Sequence, residues 1–368
     1  MKKYIWQNSE YPNFTYDKDI IMPLLSSARL KQGILLGKMQ SIGFENSQKA
    51  KLNVLTEDVI KSSEIEGLKL NIEQVRSSIA QRLGLDIGGD IYVERDVQGI
   101  VDMMLDATIN YDKPINEDRL FGWQSSMFPG GRSGLYKIKV GEYRDDSAGK
   151  IQVVSGALGH EKVHYEAPNA DIIPQEMNRL IEYINKENDT DLVIKAGIVH
   201  LWFVIIHPFE DGNGRIARAL TDILLARSEN TSDRFYSMSS QIKKVRKSYY
   251  DILQITQNDS VDITLWLKWF LENLTIAIDN SSELLSEVME RVEFWEKNKS
   301  QIFNNRQIKI LTKFLDRSKW EGNLTTKKWA KICNCSHDTA NRDIADLINK
   351  KILIKQGDAR ATHFVLLK

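Results

Sequence analysis

His207-Pro208-Phe209-Glu210-Asp211-Gly212-Asn213-Gly214-Arg215-Ile216-Ala217-Arg218 follows an almost wholly apolar run, Leu192 to Ile206 (LVIKAGIVHLWFVII). That run is too long for one strand and predicts a buried helix. Pro208 disfavours the α region at His207 and ends the helix there, leaving the imidazole at the mouth of a loop. Gly212 and Gly214 allow positive φ and close backbone approach, and Asn213 tolerates the left-handed region, so successive N–H groups can converge on an anion. Ile216, Ala219, Leu220, Ile223 and Leu224 then mark a second amphipathic helix, with the loop at its positive N-terminus.

The polar residues of this stretch suit phosphoryl-group chemistry. Arg215 and Arg218 are three apart, so both lie on one face of the first turn and reach successive phosphates. Asp211 is placed to hold Mg²⁺ against those phosphates. His207 has a reference pKa near neutrality and can take a proton from an attacking hydroxyl. His200, on the same helix, reads instead as a hydrogen-bonded core residue, and Phe209 as an anchor that pins the loop. Neither histidine has metal-ligand spacing to a partner, which disfavours zinc.

The stretch resembles the signature of the Fic family, H-x-F-x-[DE]-G-N-G-R-x-x-R, at every specified position. The resemblance implies ATP and Mg²⁺, and transfer of AMP to a Tyr, Thr or Ser hydroxyl of a protein, the chain itself included, with pyrophosphate leaving. It implies His207 as general base and Asp211 as Mg²⁺ ligand. Gly212, Asn213, Gly214, Arg215, Ile216, Ala217 and Arg218 would form the nucleotide-binding set. The branch of the family that phosphorylates carries a lysine where Gly214 stands, so Gly214 favours nucleotidyl transfer.

Ser62-Ser63-Glu64-Ile65-Glu66-Gly67 resembles that family's inhibitory motif, [ST]-x-x-x-E-[GN]. Ser62 and Glu66 share one helical face, and Gly67 suits a helix C-terminus. The resemblance implies a regulatory contact from Glu66 to Arg218 at the nucleotide site. Two other functions stand beside self-inhibited AMP transfer: removal of AMP with Glu66 orienting water, and a transcriptional regulator whose core senses nucleotide.

Lys plus Arg and Asp plus Glu are equal at 50 each, so overall charge points to no polyanionic partner. Residues 305–368 carry 14 Lys/Arg and 6 Asp/Glu, a net of +8, which leaves −8 on residues 1–304. A basic C-terminal module is thus joined to an acidic body. The N-terminus has no apolar h-region, no run is long enough to span a membrane, and Cys333 and Cys335 are the only cysteines. These features predict a cytoplasmic protein with reduced thiols and no membrane partner; a homodimer is compatible with all of them.

The predicted fold is mainly α: an N-terminal helical domain (1–90), a Fic-type core (91–285), a linker helix (286–304) and a winged helix (305–368). Pro23–Gln40, Gln48–Glu66 and Ile91–Thr108 have helical spacing, and Gly84 to Gly89 marks a loop. Ile151–Val154 and Lys162–Tyr165 read as a short β-hairpin, the one place strand is expected before the C-terminal module. The family resemblance makes it a flap that aligns the target by strand addition; a decorative loop is the competing reading. Gln241–Gln254 reads as one helix, and Ile263–Ala277 and Glu283–Trp295 as two more. Tyr249 and Tyr250 resemble residues near the family's adenosine pocket, and core packing explains them equally.

In the C-terminal module, Arg306–Leu315 and Thr325–Ile332 read as helices, and Ser336 N-caps a third with Ala340, Ile344, Leu347 and Ile348 on its apolar side. Strands at 352–354 and 363–366 would flank a wing at Gly357-Asp358. His337, Asp338, Asn341 and Arg342 would face outward, toward DNA or a protein, with Asp338 and Asp343 opposing phosphate contact.

Overall fold

The computed structural model describes residues 4–41, 44–85, 91–147, 149–155, 162–258, 260–315, 320, 322–357 and 362–367. These residues are mainly helical and divide into two compact units, Met1–Ser281 and Ser282–Lys368. The first holds α1 (Lys18–Ser41), α2 (Phe44–Ile65), α3 (Ile72–Arg82), α4 (Arg95–Ile109), α5 (Glu117–Met127), β1 (Arg132–Ser133), β2 (Tyr136–Lys137), β3 (Gln152–Ser155) and β4 (Lys162–Glu166). It continues with α6 (Ile173–Asn185), α7 (Leu192–Ile206), α8 (Asn213–Glu229), α9 (Met238–Lys244), α10 (Arg246–Thr256) and α11 (Thr264–Lys297), within which the division falls.

Helix α7 is the axis of the first unit. All its residues except Leu192 and Val204 are buried, which is why it is apolar on every side. Asp191 caps its first turn by accepting from Val193 N at 2.8 Å, and the same carboxylate accepts from Arg29 of α1 at 2.9 Å. Helix α8 packs along α7 and buries Ile216, Ala219, Leu220, Ile223 and Leu224.

Helix α2 lies against α8 and α9. Its buried Asp58 accepts a hydrogen bond from Ser237, and the neighbouring Asp222 of α8 pairs with Arg234 at 2.8 Å. Burial first, and the Asp58 charge second, hold the Asp222 carboxyl well above the usual range. These contacts put the N-terminal helices in the same compact unit as α7 and α8. The segment before α1 also joins this unit: Ile5 N donates to Gln257 O at 3.0 Å and Thr15 N to Val261 O at 2.9 Å.

Helix α1 begins five residues before Pro23, which sits inside it. The single helix expected over Gln241–Gln254 is broken at Val245 (φ −111°, ψ 29°), whereas the two expected after Ile263 are one continuous helix. Helices α3, α5 and α6 are additions to the sequence reading.

Strands β3 and β4 pair antiparallel, Gln152 with Glu166 and Ser155 with Lys162, with a register shift at Val153/Val154. The tip of that hairpin, residues 156–161, and the end of the expected loop at 84–89 lie outside the described residues. A second ladder, β1 with β2, was not expected.

The second unit contains α12 (Asn305–Phe314), α13 (Thr326–Cys333), α14 (His337–Asn349), β5 (Leu353–Gln356) and β6 (His363–Leu366). Strands β5 and β6 pair antiparallel, and Leu324 bridges to Phe364. Ile310, Leu311, Trp329, Ala340, Ile344, Leu347 and Leu353 form its core. Asn334, at φ 49°, turns the chain between α13 and α14, and Ser336 accepts from Thr339 N at 3.2 Å as the N-cap. Asp343 is buried and accepts from Arg306 Nε at 2.7 Å and Asn304 Nδ2 at 2.9 Å, so it does not oppose contact from the surface as expected. Of the expected wing, Asp358 lies outside the described residues. Both cysteines are free thiols, and among the described residues no helix is long and apolar enough to cross a membrane.

Candidate active site

The loop between α7 and α8 is held from inside and from behind. Asn213 bridges it, accepting from Phe209 N at 3.0 Å and donating to Phe209 O at 2.7 Å. Phe209 itself is fully buried between Phe203, Phe121 and Tyr143. His207 closes α7 in the left-handed region, at φ 51° and ψ 59°, which an L residue adopts only when its surroundings impose it. Arg144 supplies part of that imposition: Nε donates to His207 O at 2.8 Å, and its backbone N donates to Pro208 O at 2.9 Å. The guanidinium is fixed in turn by Pro168 O at 2.6 Å and Asp146 at 3.0 Å.

His207 Nδ1 faces Val204 O at 3.4 Å, and a carbonyl can only accept, so the proton belongs on Nδ1 and the Nε2 lone pair is free. Burial, with the Arg144 charge adding to it, pushes the imidazole down to about 4, against smaller opposite effects from the Val204 carbonyl, Glu66 and Asp211. The side chain is therefore neutral at pH 7 and able to accept a proton.

The expected anion cradle is built differently from its sequence reading. Gly212 takes positive φ (92°), but Asn213 and Gly214 are already the first residues of α8. No side chain caps this helix, so its first N–H groups are left for a ligand. Ile216 and Ala217 are fully buried, and Ile216 N donates to Gly212 O at 3.0 Å, so neither offers a side chain to the site.

The two arginines diverge instead of sharing a face. Arg215 lies over the Phe128 ring at 5.0 Å and 3.7 Å from Asp211. Arg218 turns to α2, where Nε donates to Ser62 Oγ at 2.8 Å, Nη2 to Ser62 O at 2.9 Å, and Nη2 pairs with Glu66 Oε1 at 2.8 Å. Among the described residues, Arg215 Nε and Arg218 Nη1 are buried without a hydrogen-bond partner, two donors of the kind an anion satisfies.

Glu66 stands where α2 ends. Gly67, at φ 86°, donates to Glu64 O at 3.1 Å while Leu68 N donates to Ser63 O at 3.0 Å, a Schellman termination that needs glycine at this position. The chain turn aims the Glu66 carboxylate at the start of α8. A Cβ added at Gly214, which is not at positive φ, would meet Glu66 Oε1 and push that carboxylate from the start of α8. The carbonyls at the end of α2 are capped by cations, Glu64 O by Lys243 at 2.8 Å and Ile65 O by Arg246 at 2.7 Å.

Two cavities meet at Glu66. One, of about 530 Å³, is lined by His207, Gly214, Arg246, Tyr249, Tyr250 and Tyr165 among others. The other, of about 410 Å³, contains Asp211, Arg215, Phe128 and Ser133. Tyr250 is half-open, with Arg246 over its ring at 5.1 Å. Tyr249 is buried, and its OH meets His200 Nε2 at 2.9 Å, while His200 Nδ1 meets Thr221 Oγ1 at 2.9 Å. His200 is thus the satisfied core residue its sequence context suggests, held down to about 3 by burial and the Arg218 charge.

Asp211 fits a single-carboxylate Mg²⁺ site. Its side chain is 38% exposed, and Ser133 of β1 donates to Oδ2 and orients it. Among the described residues no cluster of three or more His, Cys, Asp or Glu would hold a metal unaided, so such an ion would rely on phosphate oxygens. Ser133, Arg144 and Tyr165, which donates to Ile205 O at 2.7 Å, escape the sequence reading. Only the glycines around Ser133 hinted at a turn.

Residues 114–225 match the family described as Fic/DOC family, and residues 4–85 match a domain of unknown function, DUF4172. The chain is similar to a protein of Aquifex aeolicus named a probable protein adenylyltransferase, 24% identical over 198 residues, 54% of this chain and 56% of that one. It is also similar to the protein adenylyltransferase Fic of Drosophila mojavensis, 26% identical over 219 residues, 58% of this chain and 39% of the relative. The chain thus spans little more than half the length of these relatives at most. A Fic family protein from Desulfovibrio desulfuricans has the same fold over 94% of this chain and 95% of its own, with TM-score 0.55 and 18% identity. A Fic domain containing signaling protein from Bacteroides thetaiotaomicron matches over 72% and 97%, with TM-score 0.51 and 22% identity.

Proposed function

We propose that this chain, which carries a Fic/DOC family domain, is a protein adenylyltransferase that moves AMP from ATP to a hydroxyl of a protein and is held inactive by its own Glu66. The observation that carries the reading is the position of Glu66, between a neutral His207 beside one cavity and the orphaned arginine donors at the N-terminus of α8.

The free Nε2 of His207 accepts the proton of the target hydroxyl, whose oxygen then attacks the α-phosphorus as pyrophosphate departs. The first N–H groups of α8 and the guanidinium of Arg215 receive the phosphates, and Tyr250 offers a ring face to the base. Mg²⁺ beside Asp211 would neutralise phosphate charge. Arg218 is the remaining donor, and Glu66 occupies its Nη2, leaving Nη1 without a hydrogen-bond partner among the described residues. With Nη2 taken and a carboxylate beside the triphosphate, the α-phosphate is turned from in-line attack.

The β3–β4 ladder, two-stranded among the described residues, would align the target segment by strand addition. His207→Ala in the Glu66→Gly background should abolish transfer of label from ATP while nucleotide affinity stays within about threefold, since the α8 amides and not the imidazole hold the phosphates. Loss of ATP binding together with activity would make His207 a structural residue and overturn this assignment.

A further inference from the structure

We infer that the second unit docks duplex DNA on the exposed surface of α13, α14 and β5. The element order there is one helix, a bridge at Leu324, two helices, and an antiparallel hairpin closed back onto the bridge, which is that of a winged helix. Trp329, Ala330, Ala340, Ile344 and Leu347 face the core, which leaves His337, Asp338, Asn341 and Arg342 of α14 exposed. Lys327 and Lys331, one turn apart, are exposed on α13, and Lys355 is exposed on β5. Thr326 donates to Asn341 Oδ1 at 3.0 Å, so the two helices are coupled on this polar side.

Charge decides the partner. The module's net of +8 could be cancelled locally by its acids, but the structure removes two of them from this face. Asp343 is buried against Arg306 and Asn304, and Asp346 pairs with Lys350 at 2.6 Å. Asp338 is the one exposed acid that α14 presents beside Asn341 and Arg342 among the described residues. The face of α14 is polar and near neutral, Arg342 against Asp338, and the exposed Lys327, Lys331 and Lys355 of α13 and β5 supply the positive charge that suits phosphate, with the α14 side chains left for base edges.

The test uses the full chain and a labelled random-sequence duplex, followed by fluorescence anisotropy. Four cations, Lys327, Lys331, Arg342 and Lys355, released against phosphate give a log–log salt slope near about −3.6, or a loss of about 150-fold in affinity from about 50 to 200 mM salt. The pair Lys327→Glu and Lys331→Glu should weaken binding at least about tenfold at the lower salt and flatten the slope. Lys299→Glu with Lys313→Glu makes the same charge change at exposed residues that belong to none of α13, α14 and β5, and should leave affinity within about twofold. No duplex binding at low salt would overturn the proposal and leave a protein-contact role. Equal loss in both double variants would also overturn it, because net charge and not this face would then be what binds.

Discussion

Arg144 shows how the geometry of the candidate site depends on residues that carry no motif. It holds the His207-Pro208 peptide through two hydrogen bonds while His207 sits at positive φ, yet it touches neither cavity. Arg144→Ala should therefore lower kcat by about 10²-fold, as expected for a misplacement of roughly 1 Å, and leave ATP affinity unchanged. Steady-state labelling and isothermal titration separate the two; equal losses in both would mean that the loop has simply collapsed. A base whose pKa falls on burial is deprotonated over a wider range, so activity gains nothing as pH rises through 6.5. For the Glu66→Gly variant, kcat/KM should then be flat from about pH 6 to 8, and half-maximal activity near 6.5 would contradict the burial of His207. Gly67 is a backbone case: Gly67→Ala places an L residue at φ 86° and should cost about 1–2 kcal/mol, read as a fall in Tm.

At the scale of elements, α2 is both a packed part of the first unit and the carrier of Glu66, the carboxylate proposed to inhibit. Lys243 caps Glu64 O without lining the large cavity, so Lys243→Ala loosens the end of α2 and leaves the nucleotide pocket intact. A helix-end cation contributes about 0.3–1 kcal/mol, which predicts a rise in labelling of about two- to fivefold, well short of removing Glu66. Unchanged labelling would detach the position of α2 from control. Helices α7 and α8 were legible because an apolar run and a 3.6-residue spacing are local signals. The break at Val245 and the continuity of α11 were not, since apolar spacing runs through a kink and also through a gap between two helices. Strands β1 and β2, two residues each, are too short to show alternation. What makes Gly214 small is Glu66, far away in sequence, and Asp343 looked like a surface acid because nothing local tells that Arg306 covers it. Side-chain chemistry was written in the motif, whereas its partners were set by tertiary contacts.

Across the whole molecule, we assign the two compact units separate tasks: the proposed transfer site to the first and the proposed polyanion-facing surface to the second. In the proposed function, the single carboxylate of Glu66 keeps the transfer site from working. Glu66 occupies Arg218 at 2.8 Å and lies against Gly214, in the region where the phosphates would sit. Incorporation of label from α-labelled ATP into protein, compared between the native chain and Glu66→Gly at matched ATP and Mg²⁺, tests that claim most directly. Removal of the carboxylate should raise the rate on the order of 10²-fold, and Arg218→Ala in the same background should bring it back down. Equal labelling by the native chain and Glu66→Gly would contradict self-inhibition and reduce the Glu66–Arg218 pair to an ordinary ion pair at a helix end.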